Sequence, residues 1–327
     1  PVTEATGAPY ASKTPGVMHA CGHDIHMSSA IGALRVLRNN ESAWNGRIVF
    51  VAQPAEEIGV GARAVLADRT FQSIMKKYGR PEAAIALHDF AESEAGTVGI
   101  RSGWAFANVD SVDLFIYGRG GHGARPHQTV DPVVIGSEIV VALQTIVSRR
   151  LAPGTPAVVT VGAFNAGTKH NIISSEAHLQ LTVRSYGDEM RAELVEEIKR
   201  IAGGIAEAHR APKPPRVEVR DEHTPAAFND EALSAHLLAA FGSALGEKSL
   251  VEIPLETVGE DFGRFAKTLR IPGVQYRLGG APRASLRKTD RPGLHSDRWL
   301  PEPTRTLKVG MLSLAIAAIE AGRFVRP

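Results

Sequence analysis

Met18-His19-Ala20-Cys21-Gly22-His23-Asp24 places the only cysteine of the chain beside two imidazoles and a carboxylate. Cys21 and His23 are two positions apart, so in an extended segment both side chains leave the same face. A soft thiolate and an imidazole converging in this way begin a transition-metal site, but two residues do not complete one. Met27, Ile31, Leu34 and Leu37 then recur at helical spacing, with Asp24 as the expected N-cap. The remaining ligands must come from farther along.

Residues 46–52 read as a buried strand, followed directly by Glu56-Glu57. A short helix from Gly61 leads to a second buried strand over 83–87, which ends on His88-Asp89. In open α/β sheets, ligands collect outside the carboxyl ends of the strands, where this pattern puts its acids and imidazoles. From about residue 108 the pattern changes. Strands are expected at 109–117, 157–164, 176–185 and 216–220, and helices at 131–150 and 187–209. That order, βαββαβ, is the ferredoxin-like sandwich, with the Pro-rich 211–215 as a tight connection inside it. Helices at 231–245 and 260–267, a strand at 274–278 and a last helix at 304–321 return to the first pattern. The expected architecture is α/β: a domain with a mixed sheet flanked by helices, in two parts (1–107 and 223–327), around an inserted unit at 108–222.

The bulk composition bounds the function. The 327 residues are 43% hydrophobic and 22% charged, as in ordinary globular proteins, and the net charge is +2. That charge gives no electrostatic reason to expect nucleic acid or an anionic membrane as partner. No run reads as long and apolar enough to span a bilayer, and the start carries no signal-peptide pattern. A single cysteine excludes an internal disulfide and fits a reducing compartment, so the cytoplasm is the expected location. The chain opens on Pro1 in a loop-like stretch, and is expected to begin inside a longer protein.

Taken singly, each chemical motif has a bland reading. Glu56-Glu57 could be a solvated turn, and His88 or His295 a hydrogen-bonded histidine. Together they offer more. Two adjacent carboxylates can divide labour, one ligating a metal and the other serving as general base for a metal-bound water. Cys21, His23, Glu57, His88 and His295 supply five ligands, enough for two ions with a bridging group and an open position. The run Gly118-Arg119-Gly120-Gly121-His122-Gly123 matches a dinucleotide fingerprint, but the residues after it do not open a helix on the last glycine. Its glycines instead let the backbone turn tightly and present His122. Arg184 alternates with apolar Val183, which leaves it free to hold a carboxylate in bidentate fashion or simply to be solvated. There is no G-x-S-x-G and no H-E-x-x-H, and one cysteine rules out P-C-x-x-C. A Cys21/His23 nucleophile pair would leave the acids and later histidines unused.

GVMHACGHDIH, QPAEE, ALHD, GRGGHGARPHQTVDPV, the Asn171…Arg184 pair, GEDF and LHSD span nearly the whole chain. Together they resemble the amidohydrolase branch of the aminoacylase/carboxypeptidase metallopeptidase family. The resemblance implies a metal-dependent hydrolase of N-acyl amino acids of the hippurate, N-acetyl or indoleacetyl type. It implies two divalent ions per subunit, manganese or zinc with cobalt or nickel as alternatives, and Glu56 as the general base. Cys21 would bridge or ligate, with His23, Glu57, His88 and His295 as the other ligands. His122 resembles a lid-domain histidine that reaches the partner's site in a homodimer formed through the inserted domain, and Asn171 and Arg184 resemble substrate-holding groups. A dipeptidase or carboxypeptidase of the wider family and a non-catalytic metal-binding relative are the alternatives. Asp89-Phe90 and Ser174-Ser175 depart from the family pattern, which commonly has an apolar pair and proline at the first and Pro-Asp at the second.

Overall fold

The computed structural model describes residues 1–221 and 223–326. Gly22, at φ 71°, closes the opening turn, and α1 (His23–Asn39) starts immediately after it. Asp24 therefore lies in the first turn of the helix rather than at the expected N-cap, where its charge still suits the positive end of the helix dipole. Next come α2 (Gly61–Ala67), α3 (Arg69–Tyr78), β1 (Ala84–Glu94), β2 (Val98–Gly99) and β3 (Gly103–Phe106). A second unit follows with β4 (Asn108–Tyr117), β5 (Gly121–His122), α4 (Pro132–Thr145), β6 (Val158–Ala166), β7 (Ile172–Ile173), β8 (Glu176–Ser185), α5 (Asp188–Ala208) and β9 (Arg216–Val219). The chain then adds β10 (Ala227–Asn229), α6 (Glu231–Leu245), α7 (Gly263–Leu269), β11 (Gly273–Ala281) and α8 (Pro303–Val325).

β1 and β11 run parallel with His88 opposite Arg277, and β2 lies antiparallel on the other side of β11. As the central strand, β11 is buried along its whole length. The ladder continues past His88 to Phe90↔Gly279 and, after an irregularity, to Glu94↔Ala281. His88 is thus inside the strand and not at its end. Gly279 permits this close approach, since a Cβ there would lie 2.1 Å from the Glu94 carbonyl oxygen. Helices cover the sheet, with Ile25, Leu87, Leu237, Phe241, Tyr276, Leu278 and Ala317 in one core. α1 and α8 approach closely where Gly310 meets Ser29, a Cβ on that glycine falling 2.3 Å from Ser29 Oγ.

Residues 46–52 form no strand, contrary to expectation, and Ile48, Val49 and Phe50 are exposed. The run has a strand's composition. A strand, however, exists only where a neighbour completes its ladder, and the outer side of β1 has no partner among the described residues.

The second unit is a four-stranded antiparallel sheet in the order β6-β8-β4-β9, the ferredoxin-like arrangement. Along β8, Leu179, Leu181 and Val183 are buried while Gln180, Thr182 and Arg184 are not, as the alternation predicts. α4 and α5 close one face, packing Ile135, Ile139, Leu143, Leu194 and Ile198 onto Val112, Leu114, Ile116 and those β8 residues. Pro132–Arg150 is long and apolar enough to cross a membrane by length and composition, which corrects the sequence reading. A π turn, Ile146–Arg150, prolongs the helix to that length, while Ile135, Ile139, Leu143 and Ile146 are fully buried in the sandwich core. Glu222 and Pro327, which end the second and third expected segments, lie outside the described residues.

A core helix should respond to truncation by face. Ile139→Ala is expected to lower the unfolding free energy by about 2–5 kcal/mol. Val141→Ala, on the exposed side, should shift it by no more than about 0.5 kcal/mol in the same urea titration.

Candidate metal centre

Four separate segments converge beside α1. The Gly22 turn presents Cys21 and His23, and β1 presents His88. Glu56 and Glu57 open a single 3-10 turn framed by Ala55 at φ 55° and Gly59 at φ 65°. His295, at φ 66°, belongs to the loop before α8, and its backbone N–H donates to the Ala20 carbonyl at 2.7 Å. A non-glycine residue in the left-handed region is held there against a local preference, so Ala55 and His295 mark the turns that aim these donors.

Cys21, His23 and His88 each offer an atom within 4.8 Å of the others, and so do Cys21, Glu57 and His295. The five residues singled out from sequence therefore form two three-donor sets that share one thiol. Individual separations are 3.6 Å for Cys21 Sγ to His88 Nε2 and 3.3 Å for His295 Nε2 to Glu57 Oε2. His23 Nε2 lies 3.5 Å from Glu56 Oε2 and 3.9 Å from Glu57 Oε1.

These groups fit a divalent cation. His23 Nε2 is buried without a hydrogen-bond partner. Burial, reinforced by His88, pushes the His23 pKa down, so the ring is neutral with a lone pair to offer. His88 donates Nδ1–H to the Asp89 carbonyl at 2.8 Å, which turns its Nε2 toward Cys21. Burial pushes the Cys21 thiol far up, and Glu57, Asp89 and Glu56 push it further. A thiol in such surroundings becomes a thiolate when a cation arrives to hold it. Sulfur, imidazole and carboxylate together suit a first-row transition metal.

Behind the donors lie groups that sequence reasoning passed over. Glu260 and Asp261 are almost fully buried and lie within ligand distance of Glu56. Glu260 accepts from Gln275 Nε2 at 2.7 Å and from the Phe262 N–H at 3.0 Å, while Asp261 accepts from Gln53 Nε2 at 2.7 Å and the Ala62 N–H at 2.9 Å. Burial raises Glu56 to about 8, and Glu260, Glu57 and Asp261 add to the rise against His88. Asp89 is fully buried and faces His26, His88 and Trp299. Burial pushes His26 down to about 3. Burial would raise the Asp89 carboxyl, but its contacts with the two imidazoles outweigh this and hold it below the usual carboxylate range. The only sequence signals for these residues were the GEDF run and the unusual acid after His88.

His122, Asn171 and Arg184 belong to the second unit. β5 pairs with β7, His122 opposite Ile172, and the Gly123 N–H donates to the Asn171 carbonyl at 2.9 Å, so His122 and Asn171 share one loop tip. The exposed His122 ring accepts the Ala124 N–H at Nδ1 (3.1 Å), which assigns its proton to Nε2. Arg184 is half-buried on β8. Among the described residues, no hydrogen bond or ion pair joins these three to the five donors. A cavity of about 510 Å³ lined by Arg101, Trp104, Tyr186 and Phe228 contains none of the donors either. Chemistry rather than volume marks the site.

The model of peptidase family M20/M25/M40 matches residues 1–290. An N-acetyl-L-cysteine deacetylase of Bacillus subtilis is 36% identical over 274 residues, covering 84% of this chain and 62% of that protein. This chain thus spans less than two thirds of that relative's length. An N-acetyldiaminopimelate deacetylase of Lactiplantibacillus plantarum is 36% identical over 303 residues, covering 92% of this chain and 73% of the relative. Among solved structures, the YXEP protein of Bacillus subtilis, described as a dinuclear metal-binding peptidase from the M20 family, superposes with a TM-score of 0.77 at 28% identity. That match covers 98% of this chain and 77% of the other.

The raised Glu56 gives a signed pH effect. Its folded pKa of about 8 exceeds the ordinary 4.5, so the folded state holds the proton more tightly. In chelator-treated protein, wild type should lose stability relative to Glu56→Gln as pH rises from about 4.5 to about 8. Thermal melts of the two proteins across that range check it, and a constant difference would contradict the burial argument.

Proposed function

Because the chain belongs to peptidase family M20/M25/M40, we propose that it is a metal-dependent amidohydrolase acting on N-acyl amino acids, the N-acetyl class foremost. One observation carries this reading: two three-donor sets share Cys21, and the half-buried Glu56 carboxylate sits against them. The named relatives that hydrolyse N-acetyl groups support the substrate class.

Cys21, His23 and His88 would hold one divalent cation, and Cys21, Glu57 and His295 the other. When bound, the pair supplies a water acidified to a pKa of about 7 and polarises the acyl carbonyl. Glu56, held beside the donors, accepts a proton from the water as general base. The water oxygen bonds to the acyl carbon, the carbon–nitrogen bond breaks, and Glu56 returns the proton to the leaving amine. The new carboxyl group gives its remaining proton to the amine, so the products are a carboxylate and a zwitterionic amino acid, with atoms and charge balanced.

The carbonyl oxygen gains charge during attack and needs a donor. His122 carries its proton on Nε2, on an exposed loop tip, and we assign it that role in the site of a partner subunit. The homodimer forms through the inserted unit of residues 108–222. Asn171, beside His122 on the same tip, and Arg184 hold the substrate's carbonyl or carboxylate.

Glu56→Gln should keep its metal content and lose turnover by roughly 10²–10⁴-fold on N-acetyl, N-benzoyl and indoleacetyl amino acids supplied with Mn²⁺ or Zn²⁺. Near-normal turnover in that variant would refute the assignment. His122→Ala should be inactive alone. Mixed in equal amounts with Glu56→Gln, it should recover about a quarter of wild-type activity, because half of the sites in the mixed dimers are complete. No recovery argues against catalysis across subunits.

A further inference from the structure

The mechanism makes no use of Asp89, yet its carboxylate is fully buried at the point where the ligand-bearing segments meet. Its chain neighbour His88 gives Nδ1–H to the Asp89 carbonyl at 2.8 Å, with the carboxylate Oδ1 at 3.3 Å. Gly22, between Cys21 and His23, lies flat against it. A Cβ on that glycine would fall 2.2 Å from Asp89 Cγ and 2.3 Å from both oxygens. Trp299, four residues past His295, donates Nε1–H to Oδ2 at 3.1 Å. Asp89 therefore touches the segments that carry Cys21, His23, His88 and His295, all the proposed donors except Glu57.

The carboxylate is reached by few groups of the chain. His26 Nε2 lies 3.3 Å from Oδ1, and the same nitrogen accepts the Asp89 backbone N–H at 2.8 Å. Oδ1 faces both imidazoles, and Oδ2 takes one indole N–H. Among the described residues no lysine or arginine pairs with Asp89.

We propose that Asp89 is the positioning residue of the metal centre, holding the segments of four donors in register. This rests on the metal-centre reading above. A carboxylate behind a ligating imidazole typically raises metal affinity, and here the same group also locks the Gly22 turn and the His295 loop. A merely structural acid would leave metal affinity unchanged when its charge is removed.

The test is Asp89→Asn, which keeps the shape and an oxygen for Trp299 and removes the charge. Its affinity for Mn²⁺ or Zn²⁺, by competition with a chelating dye, should fall by roughly 10–100-fold. Wild-type affinity in the variant overturns the proposal. Trp299→Phe is the second variant, in case the first fails to fold. It leaves the charge but cuts the link to the His295 loop, and should weaken one of the two bound ions while sparing the other. Unaltered binding of both ions, or equal weakening, would sink the idea that Asp89 holds that loop. A wild-type protein that takes up no divalent ion refutes the metal-centre reading itself. A wild type that takes up two, beside an unaffected Asp89→Asn, refutes only the role given to Asp89.

Discussion

Negative charge crowded around one buried thiol is the constraint on which the rest of the structure depends. Glu56, Glu57 and Asp89 all act on Cys21, and Glu260 and Asp261 lie behind Glu56. Folding has gathered five carboxyl groups into one region, and three of them, Asp89, Glu260 and Asp261, are almost wholly out of water. Burial and like neighbours favour the neutral carboxyl at Glu56 and Asp261, whereas the imidazoles beside Asp89 hold that one ionised. Hydrogen bonds relieve some of this at Asp261 and Glu260. They do not relieve it at Cys21 or at the unpartnered His23 Nε2. What remains is a site whose electrostatics are resolved by binding.

The scaffold makes that crowding possible by holding the donors from behind. β1 is clamped to the buried β11, and His88 stands opposite Arg277. Arg277 is engaged by Glu256 in a bidentate pair at 2.8 and 2.6 Å, so it does not reach forward to neutralise the donors. It also lies over the Phe106 ring at 4.6 Å, where the guanidinium face is sheltered. The Glu256 carbonyl accepts the Tyr186 hydroxyl at 2.7 Å. Tyr186 follows β8, the strand that carries Arg184. One buried ion pair thus connects β11, beside the strand that carries His88, with β8, the strand bearing a proposed substrate-holding arginine.

Much of this was legible in the letters, for reasons that differ residue by residue. Cys21, His23, Glu57, His88 and His295 stood out because thiol, imidazole and carboxylate fell near turns and strand ends, and the structure gathers all five. The sandwich was legible because alternation along β8 and the helical period of α5 each mark one face for burial. Residues 46–52 misled because composition is a property of a segment, whereas a strand is a property of a pair. Glu260 and Asp261 were hidden for another reason: acids just ahead of a helix ordinarily serve its dipole, and only the tertiary fold brings them up to Glu56. His26 was hidden because an imidazole three residues after His23 on one helix face looks like ordinary surface periodicity.

Asp89 shows why a departure from a family pattern can say more than agreement with it. An apolar residue in its place would pack against the Gly22 turn but could not accept the Trp299 N–H. With the carboxylate present, Gly22 has no room for a side chain, and the 294–299 loop is tied through Trp299 to the strand that carries His88. The donors nearest in sequence and those farthest apart are thereby set by one group that ligates nothing. In the proposed centre the orienting group stands behind the donors, and Glu56 on the near side is left to handle protons. One carboxylate buried to fix the frame is poorly placed to exchange protons with a substrate, so the proposal divides those two duties between Asp89 and Glu56.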